Sequence, residues 1–244
     1  MRVGTTLKLA AVVLGVGLLA GNAAQAQGIT STTFRVKDMT GGKLAHQKIL
    51  VFLTPKTNAE DFVFAAWQQL SPGENSTHTF VLNQAVSGQV TTVDSSQETA
   101  VVPIAPGYMS TITDADNLGI VLSKSSLAYA ESESLKVTPS QSGIINNTAT
   151  PPLATKVRWF VNDSLTAESR TFLPAGGALS TFELDTKLYW TVGSTVKAPA
   201  YTYQQIDPLL TYDLPPNTPS VDVLVTFDDA SQTFKFGFTP SSAP

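Results

Sequence analysis

The chain has 244 residues, no cysteine, and 15 basic side chains against 19 acidic ones. Zero cysteine excludes disulfides, thiolate metal sites and cysteine nucleophiles together. A net acidic chain with no run of Lys and Arg argues against nucleic acid and anionic membrane surfaces as partners.

Residues 1–26 read as a secretory signal peptide. Arg2 and Lys8 precede an apolar run from Leu9 to Leu19, and Ala24-Gln25-Ala26 supplies an A-x-A cleavage site. The run falls well short of the roughly 20 residues that span a bilayer. The mature chain, 27–244, is therefore expected to begin at Gln27 and to work in the periplasm or outside the cell. No second apolar run approaches membrane length, and a lipoprotein anchor would need a cysteine. Cleavage removes Arg2 and Lys8 but no acid, so the formal net charge of −4 becomes −6.

The body of the chain is cut into short alternating segments by Gly, Pro, Asn and Ser, which predicts an all-β antiparallel sandwich. It is one large assembly or two stacked sandwich-like halves. Strands are expected at 32–36, 48–54, 77–82, 89–93, 119–123, 156–161, 181–184 and 188–192. Segment 61–70 has both periods: Phe62, Ala65, Ala66, Trp67 and Leu70 suit a helix, whereas Phe62, Phe64 and Ala66 suit a strand. Its β-rich neighbours favour strand.

A weak internal echo joins two stretches. Leu70-Ser71-Pro72-Gly73 leads into Thr79-Phe80-Val81-Leu82, and Leu173-Pro174-Ala175-Gly176-Gly177 leads into Ser180-Thr181-Phe182-Glu183-Leu184. Duplication explains this, and so does reuse of turn chemistry. The Pro, Ser, Asn and Thr of 138–152 mark a possible internal division. Ile144-Ile145 in its middle favours a crossover strand instead.

The clearest unit comes last. Val221, Val223, Val225 and Phe227 alternate with Asp222, Leu224 and Thr226; Phe234, Phe236 and Phe238 alternate with Lys235 and Gly237. Period two on both sides of Asp228-Asp229-Ala230-Ser231 predicts a hairpin with one buried face.

Catalytic signatures are missing. G-x-S-x-G, H-E-x-x-H, a P-loop and G-x-G-x-x-G do not occur. His46 and His78 lie in polar surroundings and read as exposed. The carboxylate pairs Glu131 with Glu133, Asp114 with Asp116, and Asp228 with Asp229 sit among polar or turn residues. None has the apolar surroundings that raise a catalytic acid's pKa. Asp114, Asp116 and Asn117 form a weak calcium candidate, lacking the Gly and Glu of an EF-hand. No metal or cofactor is expected. Sequons occur at Asn75, Asn146 and Asn162.

Aromatic residues remain. Trp67, Trp159 and Trp190 lie in apolar segments and are expected in the core. Tyr201, Tyr203 and Tyr212 lie in polar, Pro-punctuated sequence. As an exposed group they would form a ligand-binding surface for a sugar or a protein, since Tyr offers an apolar body and a polar tip.

Ile144-Ile145-Asn146-Asn147, with Leu188-Tyr189-Trp190 later, resembles the first domain of periplasmic pilus chaperones. That resemblance implies an immunoglobulin-like sandwich with an asparagine-containing strand and an aromatic pair on a later strand. The order of the other strands departs from the family, and its basic carboxylate-anchoring pair has no counterpart here. Neither function nor site residues are transferred.

The expectation is a bacterial exported, non-enzymatic β-sandwich protein that acts as a binding or structural module at the cell surface. Its partner is an unidentified protein or glycan. Two readings compete with it: a carbohydrate-binding module using the tyrosines, and a hydrolase whose site the sequence does not display.

Overall fold

The computed structural model describes residues 31–83, 85–93, 95–115, 119–127, 137–148, 153–195 and 198–241. The signal segment, Asp116, Asn117, Glu131, Glu133 and the end of the 138–152 stretch lie outside the described residues.

The first half of the chain supplies β1 (Thr32–Met39), β2 (Lys48–Pro55), β3 (Phe62–Phe64), β4 (Gln68–Leu70) and β5 (Thr77–Leu82). It continues through β6 (Val86–Thr92), β7 (Val102–Pro103), β8 (Tyr108–Ala115), β9 (Gly119–Leu122) and β10 (Ser126–Leu127). The second half supplies β11 (Ser142–Asn146), β12 (Thr155–Val161), β13 (Ser164–Ser169), β14 (Ala178–Phe182) and β15 (Leu184–Gly193). Then come β16 (Tyr201–Thr202), a one-turn helix α1 (Tyr203–Ile206), β17 (Leu210–Asp213), β18 (Ser220–Asp228) and β19 (Thr233–Ser241). The all-β expectation holds. Segment 61–70 is strand rather than helix, but it is split: β3 pairs with β13, and β4 pairs with β2 in another sheet.

Four sheets form two sandwiches. In the first, the sheet β19-β18-β1-β5 faces the sheet β17-β15-β2-β4. Phe34 and Phe80 on one sheet meet Trp190 on the other, at ring-centroid distances of 6.0 and 6.2 Å. In the second, the sheet β16-β3-β13-β12-β6-β7 faces the sheet β10-β8-β11-β14, with β9 also on β8. There Trp159 stacks on Phe182 at 5.5 Å.

The sandwiches do not follow the chain halves. β1 and β2 pair with β18 and β15, while β6 and β8 pair with β12 and β11. Every pair of the first sandwich has a counterpart in the second, which adds β12–β13, β13–β3, β3–β16 and β8–β10. β1 is antiparallel to β5 and parallel to β18; β11 is antiparallel to β14 and parallel to β8. β2 on β15 on β17 matches β12 on β6 on β7, antiparallel throughout. The β2–β4 pair matches a bridge between Thr155 and Leu173. β18 with β19 matches β8 with β9. Even the buried hydroxyls repeat: Thr32 Oγ1 donates to the Thr218 carbonyl, and Ser142 Oγ to the Ile104 carbonyl, both at 2.7 Å. The sequence echo at the two Pro-Gly segments is thus part of a structural repeat of the first sandwich's strand pairs, with strands exchanged between repeats. A cut near 138–152 separates the repeats but not the sandwiches, and β11 inside that stretch is buried throughout.

One large core runs through both sandwiches, beside a small separate cluster of Met109, Val137 and Ile145. Trp67, Trp159 and Trp190 are all buried in the large core. Trp67 ties the sandwiches together, donating Nε1–H to the Val161 carbonyl at 2.9 Å and meeting Phe80 edge-on at 5.4 Å. Each such buried ring contributes about 1.5–3 kcal/mol by removal from water. The segments carrying the pilus-chaperone resemblance fall in different sandwiches, Ile144-Ile145 on β11 and Leu188 to Trp190 on β15.

Candidate functional site

β19 is the outermost strand of its sheet, and among the described residues no strand covers its outer side. It pairs with β18 over Thr233 to Ser241 without a register shift. Its alternation agrees with the sequence: Phe234, Phe236 and Phe238 face inward, while Lys235, Gly237 and Thr239 are exposed. The inward rings are only half-buried, however, unlike Val221, Val223 and Val225 on β18. The expectation of a fully buried Phe236 is corrected here: an edge strand has a neighbour on one side only.

The direction of the β19 backbone groups follows from the next strand pair inward. Thr33 of β1 is in register with Ser220, and its N–H donates to the Pro219 carbonyl at 3.0 Å. In a parallel ladder, Val221 then directs its N–H and C=O at β1, as do Val223 and Val225. Their neighbours Asp222, Leu224 and Thr226 direct theirs at β19. The partners of those neighbours are Thr239, Gly237 and Lys235. Phe234, Phe236 and Phe238 therefore aim their backbone N–H and C=O groups outward. Pro240, of the same parity, has no N–H to offer and ends the row.

The opposing sheet ends beside this edge in β17. Tyr212 stacks on Phe238 at 4.3 Å, and Trp190 meets Phe238 at 5.4 Å and Phe236 at 5.9 Å. Leu210 on β17 is 45% exposed. Trp190 Nε1 and Tyr212 Oη are buried here with no hydrogen-bond partner among the described residues, and burial pushes the Tyr212 hydroxyl pKa up. A buried polar atom left unsatisfied costs about 1–3 kcal/mol, so two beside one edge are unusual.

Charges frame the edge without blocking it. Lys235, on the solvent face, donates to Asp228 across the turn. That bond, with further donors from Ser231 and the Ala230 N–H, holds the Asp228 carboxyl down at about 2. Lys43 Nζ lies 5.1 Å from the centroid of Phe227.

The three tyrosines do not form one platform. Tyr201 on β16 packs edge-on against Phe52 at 4.9 Å. Tyr203, opening α1, donates to Asp207 at 3.1 Å and also contacts Tyr189. Tyr212 sits on a different sheet, against Phe238. All three are half-buried. Asp114 is exposed on β8. Among the described residues no three His, Asp or Glu side chains converge as metal ligands. His46 lines a cleft of about 470 Å³ with Asp38, Lys48 and Glu74, and His78 is exposed on β5. The sequon asparagine Asn146 is fully buried, which removes it as an acceptor in the folded chain.

Sequence reasoning placed the three phenylalanines on one face but not at an open edge. The signal lay in Pro240, which suits an edge strand.

The site and fold define an all-β double sandwich with one open aromatic edge. The chain matches no protein-family model, no curated protein and no solved structure.

Proposed function

We propose that the chain is an exported, non-enzymatic binding or structural module of the periplasm or cell surface, and that it binds by accepting an extended strand at β19. The observation that supports this most is a coincidence of two properties in the same residues. Phe234, Phe236 and Phe238 carry outward backbone groups and half-exposed rings. Strand addition uses both, main-chain hydrogen bonds for affinity and alternate side chains for selectivity. Each backbone bond contributes about 0.5–1.5 kcal/mol net, and covering the rings adds about 25 cal/mol per Å².

Hydrogen exchange in the presence of an extended peptide of alternating Val and Thr tests the binding mode. The amides of Phe234, Phe236 and Phe238 should slow, while those of Lys235 and Gly237, already bonded to β18, should not change. In protein dilute enough to be monomeric, equal exchange with and without peptide would defeat the reading. Export is tested separately. N-terminal sequencing of the exported protein should begin at Gln27 or Gly28, and an intact Met1 terminus in that fraction would refute it.

A further inference from the structure

We infer that the strand added at β19 comes from a second copy of this chain, paired antiparallel about a two-fold axis at Phe236. The inference rests on the strand-accepting edge proposed above and names its occupant.

The sequence of β19 supports it. Phe234-Lys235-Phe236-Gly237-Phe238 is a palindrome in its phenylalanines. Antiparallel pairing about Phe236 sets Phe234 opposite the partner's Phe238, and Phe236 opposite the partner's Phe236. These are the residues whose backbone groups face outward, so each pair exchanges both N–H···O bonds. The same pairs line up their rings, and cross-strand aromatic pairs are favourable. On the solvent face Lys235 falls opposite the partner's Gly237. No lysine meets a lysine, and each keeps its own counter-ion in Asp228. Pro240 falls opposite the turn residue Gln232, beyond the paired strand, where its missing N–H costs nothing.

Other registers are worse for stated reasons. A shift of one residue sets outward backbone groups against inward ones and phenylalanine opposite lysine. An axis at Lys235 places two lysines face to face. An axis at Gly237 sets Phe234 opposite the partner's Pro240, which cannot donate. Isologous closure about one axis also consumes both edges, so the assembly stops at two copies.

Gly237 offers a clean test. A side chain added there meets only the Leu224 carbonyl, at 4.0 Å, so substitution leaves the sandwich packing untouched. In the proposed pair it faces the partner's Lys235. Sedimentation equilibrium of the exported protein should show a concentration-dependent dimer. Gly237→Lys should weaken dimerisation at least tenfold and Gly237→Glu should strengthen it, with both gaps closing in high salt. Because the chain has no cysteine, cross-linking reads the register directly. A mixture of Lys235→Cys and Gly237→Cys proteins should form a disulfide-linked dimer under oxidation, since a non-hydrogen-bonded pair brings its Cα atoms to about 4.5 Å. Neither variant alone should do so comparably. A monomer at every concentration, or a dimer indifferent to charge at 237, would overturn the inference. Slowed exchange at Phe234, Phe236 and Phe238 with the Val-Thr peptide would then leave the strand-accepting edge standing. Loss of that protection as well would remove both.

Discussion

The two sandwiches share one pairing pattern yet end differently. The strand that matches β19 in the second sandwich is β9, only Gly119–Leu122, and the opposing edge β7 is Val102–Pro103. Short strands and a proline are common ways to blunt a sheet edge. β19 runs over nine residues without a bulge. The polar interiors differ too. Buried Asn146 in the second sandwich donates from Nδ2 to the Leu153 and Leu173 carbonyls, at 2.8 and 3.0 Å. Its Oδ1 accepts from the N–H and Oγ1 of Thr148, at 3.1 and 2.8 Å. Trp190 Nε1 and Tyr212 Oη in the first sandwich have no such partners. Ser110 Oγ on β8 is the second sandwich's exception. The contrast teaches that one copy of a repeated pairing pattern can end in short, blunted edges while the other ends in a long, regular one.

The largest expected effect breaks the closed side. Asn146→Ala removes the donors and acceptors that hold the chain around Thr148, Leu153 and Leu173, and leaves the Leu173 carbonyl with the Thr155 N–H alone and the Leu153 carbonyl with the Thr148 hydroxyl alone. We expect a loss of about 3–4 kcal/mol in denaturant unfolding. A loss below about 1 kcal/mol would show that the network is not what closes this sandwich.

Glu168 sharpens the same side. It accepts from Lys156 Nζ at 3.1 Å and from Arg158 Nε at 2.8 Å. Burial pushes its pKa up, but the hydrogen bonds from Arg158 and Lys156 outweigh burial and leave it below the ordinary 4.5. Glu168→Gln should cost about 2 kcal/mol at neutral pH. A lowered folded pKa means that this stabilisation is complete above the unfolded value and fades as pH falls through the folded one. The difference between the native and variant proteins should therefore shrink below about pH 4.5. A difference that stays constant down to pH 2 would contradict the ion-pair account.

Much of the fold was legible because period two survives wherever a strand has one wet face. Segment 77–82 matched closely, as did both strands of the final hairpin; segment 48–54 was legible instead as a continuous apolar run, since β2 is buried on both faces. β11 was harder to read, because Ser142 to Asn146 is buried throughout and shows no alternation. The repeat was half-visible. Its two Pro-Gly turns survive in sequence, but large and small core residues have changed places. Trp190 is in register with Val51, whereas Gly88 is in register with Trp159. The Gly88 position has no room for a side chain: an added Cβ would lie 2.5 Å from Ile144 Cδ1. Exchange between halves has no local signature at all, since each strand is unchanged by which copy of its partner it pairs with. The candidate site was hidden for the same reason. A face pattern tells which residues share a side, not which strand is last in its sheet.

Phe236 tests the open side with a smaller effect. Its ring is half-exposed on an edge strand, so Phe236→Ala should cost about 2 kcal/mol, below the 3–5 typical of a fully buried phenylalanine. Val223→Ala on the neighbouring strand, buried to 1% exposure, should cost at least as much despite its smaller side chain. In protein dilute enough to be monomeric, a Phe236→Ala loss near 5 kcal/mol would mean that the chain itself covers the edge.

The smallest effect is expected at Lys235, and it separates stability from contact. Its side chain is 61% exposed and its partner is the turn carboxylate Asp228. Exposed ion pairs of this kind are worth little, because water screens the charges and both side chains lose freedom. Lys235→Ala should change unfolding stability by less than about 0.5 kcal/mol. It should still let the Asp228 carboxyl pKa rise from about 2 towards its ordinary 3.8, because the largest cause of its depression is gone. NMR titration of that carboxyl reads the rise directly. A rise with stability unchanged would show that the solvent face of β19 contributes charge but little folding energy. A loss of stability comparable to that of Phe236→Ala would mean that the lysine face is packed against something, and the contrast between an open and a closed sandwich would fail at its most exposed strand.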